Sequence, residues 1–278
     1  MVYTLTADLE IAPLGNGTCK LPPVIVVGCG HSGTSIFIHI LGTHPWIHAI
    51  AGETYFLSRP IGVNWSEIVR RNGLFSRYCL TAKKELWAEK SPVHIYFLEK
   101  YFKLNPNGKV IILYRDGRDV AISIANRLCT AEEEGIFDCA NNNESRMKAI
   151  VYGAERWKND NLEGLKYLGN SRVKFIQYEL LARNPFLVLH EVCSFLEIPY
   201  LPNIMLNFYK RPPHWKINGY IQRRRFHQIN TPLTDLSSSW VTNMTLRERE
   251  TFSRITGDLL TRFGYTRADS TWQNWGAS

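Results

Sequence analysis

Apolar positions along this chain fall into short unbroken runs, separated by longer stretches with helical spacing. The clearest runs are Val24 to Gly28 (VIVVG) and Lys109 to Tyr114 (KVIILY). Continuous β-branched runs of this kind mark strands buried on both faces of a parallel sheet. Weaker runs at Ile47 to Ala51, Leu86 to Glu89 and Val173 to Tyr178 predict three more strands. The segment from Thr34 (TSIFIHILGTHP) has apolar residues at helical intervals and stops at Gly42 and Pro45. Asp119 to Arg127, Glu144 to Leu168, Asn184 to Leu196 and Leu246 to Phe263 share that periodicity, and Pro92 opens a helix after Lys90-Ser91. Strands alternating with helices predict an α/β fold, with a central parallel sheet of about four to six strands covered by helices on both faces. No repeat, Gly/Ser linker or charge block divides the chain. Residues 1–21 read as an irregular lead-in and 22–278 as one domain.

The composition, with 45% hydrophobic and 21% charged residues over 278 positions, excludes a disordered or fibrous chain. The longest apolar run is far below the roughly 18 residues of a membrane-spanning helix, so no membrane span is expected. Asp8 and Glu10 interrupt the start of the chain where a signal peptide would be apolar, which points to the cytoplasm. The alternative is the Golgi lumen, if an N-terminal anchor has been trimmed. Four N-x-[ST] sequons, at Asn16, Asn64, Asn143 and Asn243, matter only in that second case. Six cysteines without C-x-x-C spacing argue against a zinc site, and no metal is expected. They read as isolated core thiols, except that Cys129 and Cys139 flank a polar segment and are candidates for a disulfide in an oxidising compartment.

A formal charge of +8 favours acidic partners. Apart from Arg223-Arg224-Arg225 the basic residues are scattered, so no nucleic-acid surface is read. The chemistry-bearing clusters all follow predicted strands, where ligands gather in parallel sheets. Gly28-Cys29-Gly30-His31-Ser32-Gly33-Thr34-Ser35 fits G-x-x-x-x-G-x-S, the spacing of a phosphate-binding loop ahead of a helix, and makes the domain P-loop-like. Thr34 stands where such loops carry lysine, which speaks against nucleoside-triphosphate chemistry. Arg115, after the strongest strand, and Ser123, two helical turns on, read as a second anion site. Either cluster alone also reads as a structural turn.

Taken together, the loop, Glu89-Lys90-Ser91-Pro92 and the Arg115-to-Ser123 segment resemble the sulfotransferases that use 3′-phosphoadenosine-5′-phosphosulfate (PAPS). The motifs are closest to the carbohydrate and tyrosylprotein types. Tyr178-Glu179-Leu180-Leu181 with Asn184-Pro185, and Phe263-Gly264-Tyr265, extend the resemblance over residues 22 to 264. It implies that Gly30, His31, Ser32, Gly33, Thr34 and Ser35 hold the 5′-phosphosulfate, and that Arg115 and Ser123 hold the 3′-phosphate. Tyr178 and Trp157 are expected near the adenine, and Arg224 is expected to close over the 3′-phosphate or meet an anionic acceptor. His31 departs from the family, whose loop carries lysine or arginine there. A histidine there can still donate to the bridging oxygen or the sulfuryl group.

Sulfuryl transfer needs a base near the acceptor and positive charge where the leaving phosphate develops. The resemblance implies Glu53 as base and Lys90 as the cation on the sulfuryl group, with Glu89 as partner of Lys90 and His94 on a helix surface. The expected activity is transfer from PAPS, by in-line displacement, to a hydroxyl or amine of a carbohydrate or small-molecule acceptor, with peptides also open. A P-loop kinase with a degenerate loop and a non-catalytic nucleotide- or polyanion-binding module are the alternatives. Acceptor choice is expected to lie in loops 57–85, 128–146 and 205–240.

Overall fold

The structure, a computed structural model, describes residues 19–58, 64–130, 137–139, 142–211 and 229–265. Five parallel strands form one sheet in the order β2-β3-β1-β4-β5. In chain order these are β1 (Val24–Gly28), β2 (Ile47–Ala49), β3 (Leu86–Lys90), β4 (Lys109–Tyr114) and β5 (Val173–Gln177). The helices between them are α1 (Thr34–Gly42), α2 (Trp65–Thr81), α3 (Leu98–Leu104), α4 (Gly117–Cys129) and α5 (Asn143–Leu165). After β5 come α6 (Tyr178–Arg183), α7 (Pro185–Leu196), α8 (Pro202–Met205), α9 (Trp240–Asn243), α10 (Leu246–Thr256) and α11 (Leu259–Arg262). The α/β class, the parallel sheet and its strand number are as the pattern predicts.

Both faces of the sheet are covered, which is why its central strands read as unbroken apolar runs. Val24, Val26, Ile111 and Leu113 face a core built with α1, α7 and α8. Their neighbours Ile25, Val27, Val110 and Ile112 face the opposite core, with α2 and α3. A third cluster joins α4, α5, α10 and α11 around Trp157 and Phe252. Among the described residues, no helix is long and apolar enough to cross a membrane.

Three local expectations are corrected. The stretch read as a variable loop, 57–85, contains the 17-residue helix α2. Its start carries a cap, since the Asn64 side chain accepts from Glu67 N. Only Ile68, Phe75 and Cys79 are buried along it, too few for a readable apolar stripe. The strand expected through Tyr178 ends at Gln177, and Tyr178 opens α6. The single C-terminal helix breaks at Gly257, whose φ of 59° ends α10. At the end of α4, Cys129 forms a disulfide with Cys139.

Candidate active site

β1 lies at the centre of the sheet, between β3 and β4, so the strand ends that flank it form a crevice at the point where strand order reverses. Register places Lys90 opposite Val26, and Leu113 opposite Gly28. The loop from Gly28 to Ser35, the turn after Lys90 and Arg115 therefore open on the same edge. The loop's turn depends on two glycines. A Cβ on Gly28 would stand 2.2 Å from the Leu113 carbonyl oxygen, and one on Gly33, at φ 89°, would stand 2.5 Å from the Tyr178 ring. His31 itself holds φ 71°, a left-handed conformation rare for a side-chain-bearing residue. Gly33 caps α1 without a side chain, and no acidic residue sits in the helix's first turn. The first amides of α1 and its positive dipole end are thus directed at the loop.

Arg115 and Ser123 converge on His31. Arg115 Nη1 donates to the His31 carbonyl at 3.4 Å, and His31 Nδ1 lies 2.8 Å from Ser123 Oγ. Arg127 Nη1 lies 3.4 Å from His31 Nε2. An arginine can only donate, so Nε2 accepts, and Nδ1 carries the proton that is given to Ser123. The weak cation expected of this loop is therefore backed by a full guanidinium. Arg127 lies four residues after Ser123, hence on the same face of α4, and the sequence reading missed it although that spacing was available. Arg156 of α5 also approaches, its Nη2 3.1 Å from where a Gly30 Cβ would be. Nothing in the sequence marks it.

Behind Arg115 stands a supporting set. Tyr178, 3% exposed, packs against Gly33 and lies under the Arg115 guanidinium, 4.6 Å from ring centroid to Cζ. Trp157 is wholly buried and donates from Nε1 to the Arg115 carbonyl at 2.9 Å, so it braces the strand end and has no face for an adenine. Asp119 accepts from Ser238 N, Ser239 Oγ and Trp240 N, folding that segment back over α4. Leu236 O is thereby brought to Arg115 Nη2 at 2.9 Å. Two buried polar atoms here, Ser32 Oγ and Arg115 Nε, have no hydrogen-bond partner among the described residues, a condition that suits added polar ligand atoms. Thr34 is buried and Ser35 half-buried at the start of α1, whereas Arg224 lies outside the described residues.

Glu179 accepts from Asp116 N at 3.0 Å and from Tyr265 Oη at 2.9 Å, joining the Arg115 turn to the C-terminal end. Burial, aided by the nearby Asp116 charge, pushes its pKa up to about 7 from 4.5. The folded chain then keeps a proton that the unfolded chain releases, so this group's contribution to stability falls as pH rises from 4.5 through 7. Glu179→Gln is expected to remove that slope, worth up to about 3 kcal/mol. Urea melts of both proteins at pH 5 and 7.5 check it, and parallel pH profiles would refute it.

The second cluster surrounds Glu53. Lys90 Nζ lies 2.5 Å from Glu53 Oε1, and Tyr55 Oη donates to Oε2 at 2.6 Å. The Lys90 side chain is 5% exposed and that of Glu53 17%. Two expectations are corrected here. Glu89 is not the partner of Lys90, and His94 is not on a surface. Both are wholly buried and face one another, His94 Nδ1 to Glu89 Oε2 at 3.2 Å. Glu89 Oε1 accepts from Thr54 N, Thr54 Oγ1 and Ser91 Oγ. Tyr55 N donates to Ser91 Oγ, and Leu57 N donates to His94 Nε2. A buried Glu89-His94 unit thus clamps residues 54–57 to the end of β3 and fixes the arm that presents Glu53.

The sulfotransferase domain model matches residues 21–264. Among solved structures, the chain is similar to the sulfotransferase domain of the curacin biosynthetic pathway, with TM-score 0.65, 18% identity, and coverage of 89% of this chain and 99% of that one. A sulfotransferase domain from the Synechococcus PCC 7002 olefin synthase gives TM-score 0.60, 17% identity, and coverage of 91% and 98%. A mouse sulfotransferase solved with PAP gives TM-score 0.58, 14% identity, and coverage of 87% and 84%. No curated protein matches the chain by sequence. With the domain model spanning most of its length, the chain belongs to the sulfotransferase family and is an enzyme of the PAPS-dependent kind.

Proposed function

We propose that this enzyme moves the sulfuryl group of PAPS directly onto a hydroxyl or amine of a carbohydrate or small-molecule acceptor, with Glu53 as base. The observation that carries this reading is the Lys90–Glu53 contact at the end of β3, beside the loop on β1. It sets one cation and one carboxylate side by side where donor and acceptor would meet. The donor's 5′ end suits Gly30 to Ser35 and the α1 amides, and its 3′-phosphate suits Arg115 and Ser123, with Arg127 adding charge. The mouse neighbour's bound PAP, the product nucleotide, is in keeping with this assignment.

In the proposed reaction, the acceptor oxygen or nitrogen attacks sulfur and its proton passes to Glu53. The bond from sulfur to the phosphate oxygen breaks in line, and adenosine 3′,5′-bisphosphate leaves. Lys90 neutralises charge on the sulfuryl oxygens, and the loop amides at the positive end of α1 stabilise charge on the leaving phosphate. Residues 54–57, held by Glu89 and His94, keep the carboxylate in position. The Cys129–Cys139 disulfide and the exposed sequon residues Asn64, Asn143 and Asn243 favour an oxidising lumen over the cytoplasm.

Thermal-shift titration tests the donor assignment. The enzyme is expected to be stabilised by adenosine 3′,5′-bisphosphate in EDTA and hardly at all by magnesium-ATP, because Thr34 replaces the lysine that a γ-phosphate needs. At 100 times its dissociation constant the bisphosphate should add about 2.7 kcal/mol. Stabilisation by magnesium-ATP alone would overturn the assignment in favour of a kinase, and stabilisation by neither would favour a non-catalytic binding module. A screen of acceptor classes with PAPS labelled in the sulfuryl group then identifies the acceptor.

A further inference from the structure

Apart from the Cys129–Cys139 disulfide, the described residues hold four thiols, and two of them lie together. Cys19, half-buried just ahead of β1, places its Sγ 3.7 Å from the carbonyl oxygen of Ser76 in α2. Cys79 lies three residues after Ser76, on the same face of that helix, and is wholly buried. Its own Sγ is 3.4 Å from the Lys84 carbonyl oxygen. Cys19 packs against the cluster that contains Cys79, and its contact with Ser76, one helical turn before Cys79, brings the two thiols beside each other. The chain beside Cys19 is fixed to the same place: Leu21 N donates to Glu85 O at 3.0 Å, and Lys20 pairs with Glu85 at 3.2 Å.

We propose that Cys19 and Cys79 form a second disulfide, which ties the chain ahead of β1 to the C-terminal turn of α2. Contact with Cys79 holds the Cys19 pKa below the usual thiol value, while that contact and burial push Cys79 up. Cys19, the more accessible of the two, is therefore the attacking group. Its thiolate displaces one thiol from a disulfide oxidant such as oxidised glutathione, giving a mixed disulfide. Cys79 then loses its proton and attacks the Cys19 sulfur. The second glutathione thiol leaves, so two protein thiols are oxidised and one glutathione disulfide is reduced. Neither remaining thiol has such a neighbour: Cys29 is buried near Arg156 and Asp160, and Cys193 lies 3.6 Å from the Met205 sulfur.

The link would brace the presentation of Glu53. Phe75 of α2 packs against Phe56 and Trp87, with ring centroids 5.2 and 5.3 Å apart, and Phe56 lies three residues after Glu53. The disulfide itself does not depend on the proposed reaction, and its test reads covalent structure, not activity.

The full chain is reduced under native conditions, reoxidised with glutathione disulfide, denatured in N-ethylmaleimide without reductant, and digested. The expected product is a peptide pair joining Cys19 to Cys79 that separates on reduction, with maleimide on Cys29 and Cys193. Maleimide on both Cys19 and Cys79, or glutathione remaining on Cys19 without closure, would overturn the proposal. A link from Cys19 to Cys29 or Cys193 would do the same. In Cys79→Ser, Cys19 is expected to stop at the glutathione adduct, and a Cys19 that still closes onto another cysteine would also refute the pairing.

Discussion

Glu53→Gln is expected to slow sulfuryl transfer by about 100- to 10,000-fold, the usual cost of losing a general base. Affinity for adenosine 3′,5′-bisphosphate should stay nearly unchanged, because Glu53 bonds to Lys90 and Tyr55 and not to the Arg115 cluster. The substitution does two things, however. It removes a proton acceptor, and it takes the anion away from Lys90, whose side chain is almost wholly buried. A buried ion left without its partner is costly, so part of the loss would arise even if Glu53 only held Lys90 in place. The double variant Glu53→Gln with Lys90→Met separates the two roles, since it removes the stranded charge as well. If Glu53 is the base, the double variant is still far slower than Lys90→Met alone. Equal turnover in the double variant and in Lys90→Met would reduce Glu53 to a counter-ion, and near-normal turnover in Glu53→Gln alone would move the base elsewhere.

The identity of the Lys90 partner shows where sequence reasoning loses its hold. Glu89 is adjacent in the chain and was the natural candidate, yet successive residues of a strand point to opposite sides. Glu89 accordingly turns into the core to meet His94, while Lys90 meets a carboxylate 37 residues away. His94 was misread for a related reason. It sits on a 3₁₀ turn between Pro92 and Phe97, where surface and interior are decided by what packs above, here Phe56 at 5.0 Å.

Val24–Gly28, Lys109–Tyr114 and the glycines of the loop were legible because local backbone requirements select their residues directly. Arg127 and Arg156 were not, since a charged residue on a helix looks the same in sequence whether it faces solvent or a ligand site. The Tyr178-Glu179 pair was visible as a motif but not as a mechanism. Its residues support Gly33, Arg115 and the Asp116 amide from behind, and that role depends on the pairing of β5 with β4.

Arg115→Ala is expected to weaken binding of adenosine 3′,5′-bisphosphate by about 10- to 150-fold, the range of a charged hydrogen bond. Adenosine 5′-monophosphate, which lacks the 3′-phosphate, should lose much less. Ser123→Ala should follow the same order with a smaller loss, near the lower end of that range, because its hydroxyl is a neutral donor to a charged phosphate. The comparison between ligands is needed because both residues also serve the protein. Arg115 bonds to the His31 and Leu236 carbonyls and lies over Tyr178, and Ser123 receives the His31 proton. Removing either disturbs the loop that both nucleotides share, and that disturbance lowers both affinities together. Only the additional loss seen with the bisphosphate reports a contact to the 3′-phosphate. Isothermal titration with the two ligands measures it, and equal weakening for both would make Arg115 and Ser123 supports of the loop and leave the 3′-phosphate to other residues.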